Sequence, residues 1–130
     1  MIYSEVSCIA DMSYSINAEK KILHCAFRGV LRAENLIEHI NAVRSDKAFS
    51  QELNTIVDLR EAALPQGFME VSRIVNYINQ TSHIRGPYRL SLVIDEPDQK
   101  RGALLYAALS PHGHVKICAS MREAEKWVSC

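Results

Sequence analysis

The chain has no surplus of either charge: 15 Lys and Arg stand against 15 Asp and Glu. A nucleic-acid binder needs excess cations to neutralise phosphates, so no nucleic-acid partner is expected. No stretch stays apolar for the roughly 18–20 residues of a membrane span, so no transmembrane segment is expected. The opening Met1-Ile2-Tyr3-Ser4-Glu5 lacks a basic region followed by a long apolar one, which argues against a secretory leader and for a cytoplasmic setting. The 4 cysteines, Cys8, Cys25, Cys118 and Cys130, have neither metal-type nor redox-type spacing. Scattered in this way, they read as reduced, buried small hydrophobes rather than a disulfide framework. Neither GxGxxG nor GxxxxGK occurs, so phosphate-cradling loops are absent and no cofactor is expected.

What remains is an ordinary globular composition, 48% hydrophobic and 23% charged over 130 residues, enough for one domain that needs no staple. Residues 1–11 read as an N-terminal extension or an extra strand, and residues 12–130 as a single α/β domain. From Met12, Ser13-Tyr14-Ser15-Ile16 alternates polar and apolar, as a half-buried strand does. After the polar turn Asn17–Lys21, Ile22–Phe27 forms a second strand with Leu23, Cys25 and Phe27 on one face, closed by Arg28-Gly29. The short connection implies an antiparallel hairpin. From Ala33 the period changes to 3.6, and Ala33, Leu36, Ile37, Ile40 and Val43 line one face of a helix. Phe49 is an apolar anchor in the connector that follows. Thr55–Leu59 reads as a central strand covered on both faces.

Pro65 then precedes a second helix with Val71, Ile74, Val75 and Ile78 as its stripe. Ser82–Pro87 is a breaker and Tyr88–Ile94 the fourth strand. Asp98 can cap a third helix carrying Leu104, Leu105, Ala108 and Leu109, stopped by Pro111 and Gly113. Val115–Cys118 is the last strand. Ser120-Met121-Arg122-Glu123 has capping-box spacing, with the Glu123 side chain reaching back to the Ser120 amide. Ala124, Trp127 and Val128 give the closing helix its apolar face. The order ββαβαβαβα favours a mostly parallel sheet.

Several of these segments resemble one family. They are Phe27-Arg28-Gly29, the helix start AENL from Ala33, DKAFSQELNTIVDLREA from Asp46 to Ala62, and MREAEKWV from Met121 to Val128. From about Met12 to Val128 the chain resembles the small bacterial SpoIIAA-like proteins of STAS/CRAL-TRIO-like type. That resemblance implies a βα superhelix of four or five strands flanked by helices. It also implies a regulatory or protein-interaction role or, on the lipid-binding side, a small hydrophobic ligand. The best-known STAS domains antagonise anti-sigma factors through a phosphorylatable Ser or Thr at the start of the helix after the central strand. Here the segment Asp58 to Glu70, read as a loop, holds no hydroxyl, and Ser72 is the first. A phosphate switch at a helix N-terminus needs one there, so the family's switch is missing.

Open α/β sheets bind ligands beyond the carboxyl ends of their strands. Asp58 and Arg60 after the third strand, with Asp95 and Glu96 after the fourth, are placed there. Asp58, Arg60 and Asp95 are therefore the candidate ligand-binding residues. The competing reading pairs Asp58 with nearby amides and Arg60 with an exposed carboxylate. His112-Gly113-His114 offers two metal ligands and no third, so it reads as a solvated turn. Cys25 or Cys118 with His24 would make a Cys–His pair, but neither cysteine opens a helix, where its pKa would fall. No catalytic residue and no metal site is expected. The uncharged run from Ala103 to Leu109 leaves an apolar helix whose Leu105, Tyr106 and Leu109 are candidate interface residues. They suggest a homodimer or an unknown protein partner. A small apolar ligand is the alternative, which calls for an enclosed cavity of several hundred Å³.

Overall fold

Alternation along two strands builds the hairpin that opens the described part of the chain. In the computed structural model, β1 (Asp11–Asn17) and β2 (Ile22–Val30) pair antiparallel, with Tyr14 opposite Cys25. The structure describes residues 10–50, 52–65, 67–81, 88–110 and 114–129, and for Asp98 the backbone only. Most of the N-terminal extension, the Ser82–Pro87 breaker and the Pro111–Gly113 stop lie outside the described residues. The chain continues through α1 (Ala33–Arg44), β3 (Asn54–Ala63), α2 (Phe68–Thr81), β4 (Arg89–Val93), α3 (Pro97–Leu109), β5 (His114–Cys118) and α4 (Met121–Val128).

The five strands lie in the order β1-β2-β3-β4-β5, and β2 to β5 are parallel. Crossovers of one hand between sequential neighbours stack their helices on one face. Accordingly α1, α2 and α3 send Ile40, Ile74 and Ala103 toward the face that carries Leu23, Val57 and Leu92. The opposite face is covered by α4, where Ala124 and Val128 pack with Ile22, Ile56, Val93 and Cys118. The central strand is therefore buried on both sides, as its run of adjacent apolar residues predicts.

Both inner strands run further than their apolar stretches suggest. Gly29 does not close β2; it adopts φ 83°, a left-handed conformation favouring glycine, and pairing continues to Val30. β3 continues past Leu59 to Ala63, so Asp58 and Arg60 lie within the strand rather than after it. Ala26 faces Asp58 while Arg28 faces Glu61, so β3 carries one extra residue, a bulge. Pairing with β4 ends at Asp58 and Val93. Beyond that point the sheet no longer serves the β4 side of β3, and Gln99 does. Its side-chain Nε2 donates to the carbonyls of Leu59 (2.6 Å) and Ala62 (3.0 Å), while Oε1 accepts from the amides of Asp95 (3.0 Å) and Glu96 (3.1 Å). A buried amide with both ends satisfied fixes the start of α3 against the end of β3.

The helix ends depart from expectation in small ways. α3 begins at Pro97 with Glu96 as N-cap, which puts Asp98 in the first turn and not at the cap. At α4 the Ser120 Oγ accepts from the Glu123 amide at 3.1 Å, as expected. The Glu123 carboxylate, however, accepts from the amide of Ala119 and not from that of Ser120. The carbonyls at the end of α4 are also held: Asn54 Nδ2 donates to Val128 O at 3.0 Å and Arg89 Nη1 to Trp127 O at 2.8 Å. The Arg89 guanidinium also lies over the Trp127 ring, 5.6 Å from its centroid.

The buried face of α3 is Gln99, Gly102 and Ala103; Leu104 and Ala108, expected in the core stripe, are exposed. The cause is close approach. A Cβ at Gly102 would lie 2.7 Å from Pro65 O and 3.1 Å from Leu64 Cβ, so only glycine lets α3 sit at this distance.

Two substitutions check these supports by equilibrium denaturation. Gln99→Leu strands buried amides and carbonyls and should lower stability by about 3 kcal/mol; a change under about 0.5 kcal/mol would contradict the account. Gly102→Ala should destabilise by ~1–3 kcal/mol through overpacking, despite the better intrinsic helix propensity of alanine.

Candidate ligand site between the sheet and three helices

Between the helical face of the sheet and α1, α2 and α3 lies a cavity of about 170 Å³. Alternation on the strands places Leu23, Cys25 and Phe27 of β2, Thr55, Val57 and Leu59 of β3, and Leu90 and Leu92 of β4 along its floor. Its roof comes from the inward faces of the three helices, and Phe49 from the connector after α1 closes one side. Medium-sized side chains dominate the lining, so the space is apolar in character.

A row of polar contacts joins α1 to α2. The Ala33 amide donates to Glu70 Oε1 at 3.3 Å, and Arg73 pairs with Glu34. Tyr77 donates to Asn41, and Arg44 donates to Thr81. The rungs recur in step along both helices, which keeps them side by side. The Arg73 guanidinium holds the Glu34 carboxyl below its ordinary range. Tyr14, on the edge strand, donates to Asp46 Oδ2 at 2.8 Å. That bond raises the pKa of Tyr14, while the Ala48 amide and then Tyr14 lower that of Asp46.

Within the cavity one polar pair stands out. His39 Nε2 lies 3.3 Å from the Sγ of Cys25, a buried free thiol. The imidazole meets Phe27 edge to face at 4.8 Å between centroids and Tyr14 at 5.8 Å. Burial pushes the His39 pKa down, favouring the neutral ring. The Cys–His pairing that the sequence argues against involves His24 instead. His24 adjoins Cys25 in a strand, so the two side chains point to opposite faces. Among the described residues Cys118 likewise meets no histidine; Ser91 Oγ donates to its Sγ at 3.0 Å.

The carboxyl edge of the sheet is arranged differently. Arg60 grips Asp58 with Nε and Nη2, each at 2.9 Å, and its own amide donates to Asp58 Oδ1 at 3.1 Å. The Arg60 side chain lowers the Asp58 pKa, and Asp58 raises that of Arg60, to which Asp95 adds a weaker attraction. Asp95 is exposed at the start of the β4–α3 connection. Neighbouring strands thus bring Asp58, Arg60 and Asp95 to one edge, but Asp58 and Arg60 spend their hydrogen bonds on each other. Asp58 also borders a polar depression of about 290 Å³ on the opposite face, with Asp11, Ser13, Ala26, Arg28 and Glu61. Arg60 and Asp95 do not line it.

Of the apolar α3 candidates, Tyr106 lines the cavity, and Leu105 and Leu109 are half-buried. The most exposed large hydrophobic side chains lie elsewhere: Met69 at 80% and Phe68 at 59% open α2, and Leu104 at 49% sits on α3. His114 opens β5 exposed, while His112 and Gly113 lie outside the described residues. Among the described residues no group of three His, Cys, Asp or Glu could hold a metal ion, and no helix is long and apolar enough to cross a membrane.

No family model matches the chain, and no curated protein does. Among solved structures, an uncharacterized protein of the DUF3478 family with a SpoIIAA-like fold, from Shewanella loihica PV-4, superposes with a TM-score of 0.65. The two chains are 14% identical, and the match covers 92% of this chain and 95% of the other. The fold is therefore SpoIIAA-like, as the sequence resemblance implies.

His39 yields a pH prediction. Its neutral form is favoured in the fold, so its contribution to stability is complete above the unfolded pKa of about 6.5 and declines as pH falls below it. Denaturation midpoints should fall from pH 6.5 toward 5, and His39→Phe should flatten that slope. An unchanged slope in the variant would show that His39 titrates alike in both states.

Proposed function

We propose that the chain is a non-catalytic regulatory module that responds to a small apolar ligand held between its sheet and α1–α3. The observation carrying this reading is the apolar cavity of about 170 Å³. An engineered cavity of about 150 Å³ with similar lining takes up benzene, whereas drug-sized ligands need about 300–1,000 Å³. The volume therefore suits a molecule of single-ring size and not a long-chain lipid, which narrows the lipid-carrier alternative. The mutual engagement of Asp58 and Arg60 gives each a role within the sheet edge, which supports a non-catalytic reading.

A protein-binding role is supported by a separate observation. Phe68 and Met69 are exposed on the first turn of α2, the helix whose Val71 and Ile74 line the cavity. One helix thus touches both the proposed ligand and the solvent-facing apolar pair. A contact through that pair, to a second copy or to another protein, would place input and output on the same element.

The test uses benzene and toluene as probes. Wild-type protein titrated with either should show saturable amide shifts in two-dimensional NMR around Val57, Val71 and Tyr106, and a raised melting temperature. Val57→Phe and Ile40→Phe, which fill the space, should abolish the shifts while keeping a cooperative unfolding transition. Absence of saturable binding by the wild-type chain would remove this reading.

A further inference from the structure

The polar corner of the cavity says more about its occupant than the volume does. Its floor and roof are apolar, so a charged group placed there loses water without compensation, at a cost far above that of a neutral polar group. Arg44 is the lining cation, and its guanidinium is engaged at the α1–α2 seam, where it donates to Thr81. His39 differs from the other polar residues of the lining. Its Nε2 is taken by Cys25 Sγ, and its second ring nitrogen has no hydrogen-bond partner among the described residues. Cys25, Thr55, Tyr88 and Tyr106 each take part in further contacts.

We infer that the ligand is an uncharged, single-ring-sized alcohol or phenol, and that His39 is the residue that binds its hydroxyl. This rests on the reading of the cavity as a ligand site. A neutral imidazole presents one donor and one acceptor nitrogen. If the Cys25 thiol donates to Nε2, the free nitrogen is a donor; if Nε2 donates to sulfur, the free nitrogen is an acceptor. A hydroxyl both donates and accepts, so it complements either tautomer. A carbonyl matches one tautomer only, and a carboxylate brings a charge that the lining does not repay. The Phe27 and Tyr14 rings hold the imidazole edge-on at 4.8 and 5.8 Å and fix its plane. Orienting a ring in this way confers selectivity, because a fixed hydrogen-bonding group favours the ligand that carries the matching atom.

The experiment compares three probes with the same benzyl skeleton, toluene, benzyl alcohol and benzoate, on wild type, His39→Leu and His39→Gln. Affinities come from NMR titration, with the imidazole nitrogen shifts of His39 followed alongside. Wild type should bind benzyl alcohol and not benzoate, and benzyl alcohol should displace the His39 nitrogen signals while toluene leaves them in place. His39→Leu should weaken benzyl alcohol about tenfold and leave toluene within about twofold. His39→Gln, which keeps a donor and an acceptor, should recover most of the loss. Equal weakening of toluene and benzyl alcohol in His39→Leu would mean that the residue only shapes the cavity, and would overturn the inference. Preference for benzoate would overturn it as well. Toluene binding without benzyl alcohol binding overturns this inference and leaves the proposed function standing, whereas failure of every probe removes both.

Discussion

The side chain of Gln99 joins three pieces of chain that regular pairing leaves apart. The bulge gives β3 one residue more than β2, and β4 stops pairing at Val93, so the last part of β3 runs on without a neighbour on one side. Its carbonyls at Leu59 and Ala62 would face an apolar interior unserved. Gln99 supplies both donors and at the same time accepts from the amides of Asp95 and Glu96, which open the next helix. Because the amide is 5% exposed, water offers little substitute, and each bond is held at the strength of a buried one. The irregular end of the sheet, the entry to α3 and the turn after β4 therefore stand or fall together.

That clamp has consequences for the space beneath the helices. It draws α3 down until Gly102 rests against the backbone of Pro65, and there only a glycine fits. At the other side the α1–α2 rungs add polar contacts to two helices that already bury Ala33, Val43, Val71 and Ile74. The helical layer is thus held at its edges as well as through its apolar face. Side chains of ordinary size then fail to fill the centre. Unfilled apolar space of about 170 Å³ forgoes packing contacts for its lining, and a ligand of matching shape would restore part of them.

Much of this fold can be read from periodicity. The opening hairpin, the doubly covered central strand, the stripe of α2 and the element order follow from apolar spacing, and spacing is a local property. The end of β3 escapes such reading because Arg60, Glu61 and Ala63 are exposed and look like loop. The rotation of α3 escapes it because a steric contact with Pro65 overrides the leucine pattern. Gln99, Asn54 and Arg89 act across distances of 35 or more residues, and nothing in the neighbours of Asn54 and Arg89 marks those two. A local hint did exist at Gln99: Pro97 at the first helical position places a glutamine where a capping side chain sits. The candidate site was less legible still. Cys25 and His39 lie on different elements, and their meeting depends on how α1 is set across β2.

The missing hydroxyl at the start of α2 bears on where regulation can reside in such a fold. A phosphorylated helix start works by adding charge at one end of an element that a partner reads. Here the first turn of α2 offers Phe68 and Met69 to solvent, and the same helix carries Val71 and Ile74 on the cavity wall. Contacts between α1 and α2 recur along the helix, at Glu70, Arg73, Tyr77 and Thr81. A ligand can bias a two-state element only through a difference in its affinity for the two states. In the proposed reading that difference arises at Val71 and Ile74, where an occupant replaces empty space, and it emerges at Phe68 and Met69. Filling the cavity would then take the place of phosphorylation, using packing in place of charge on the same helix.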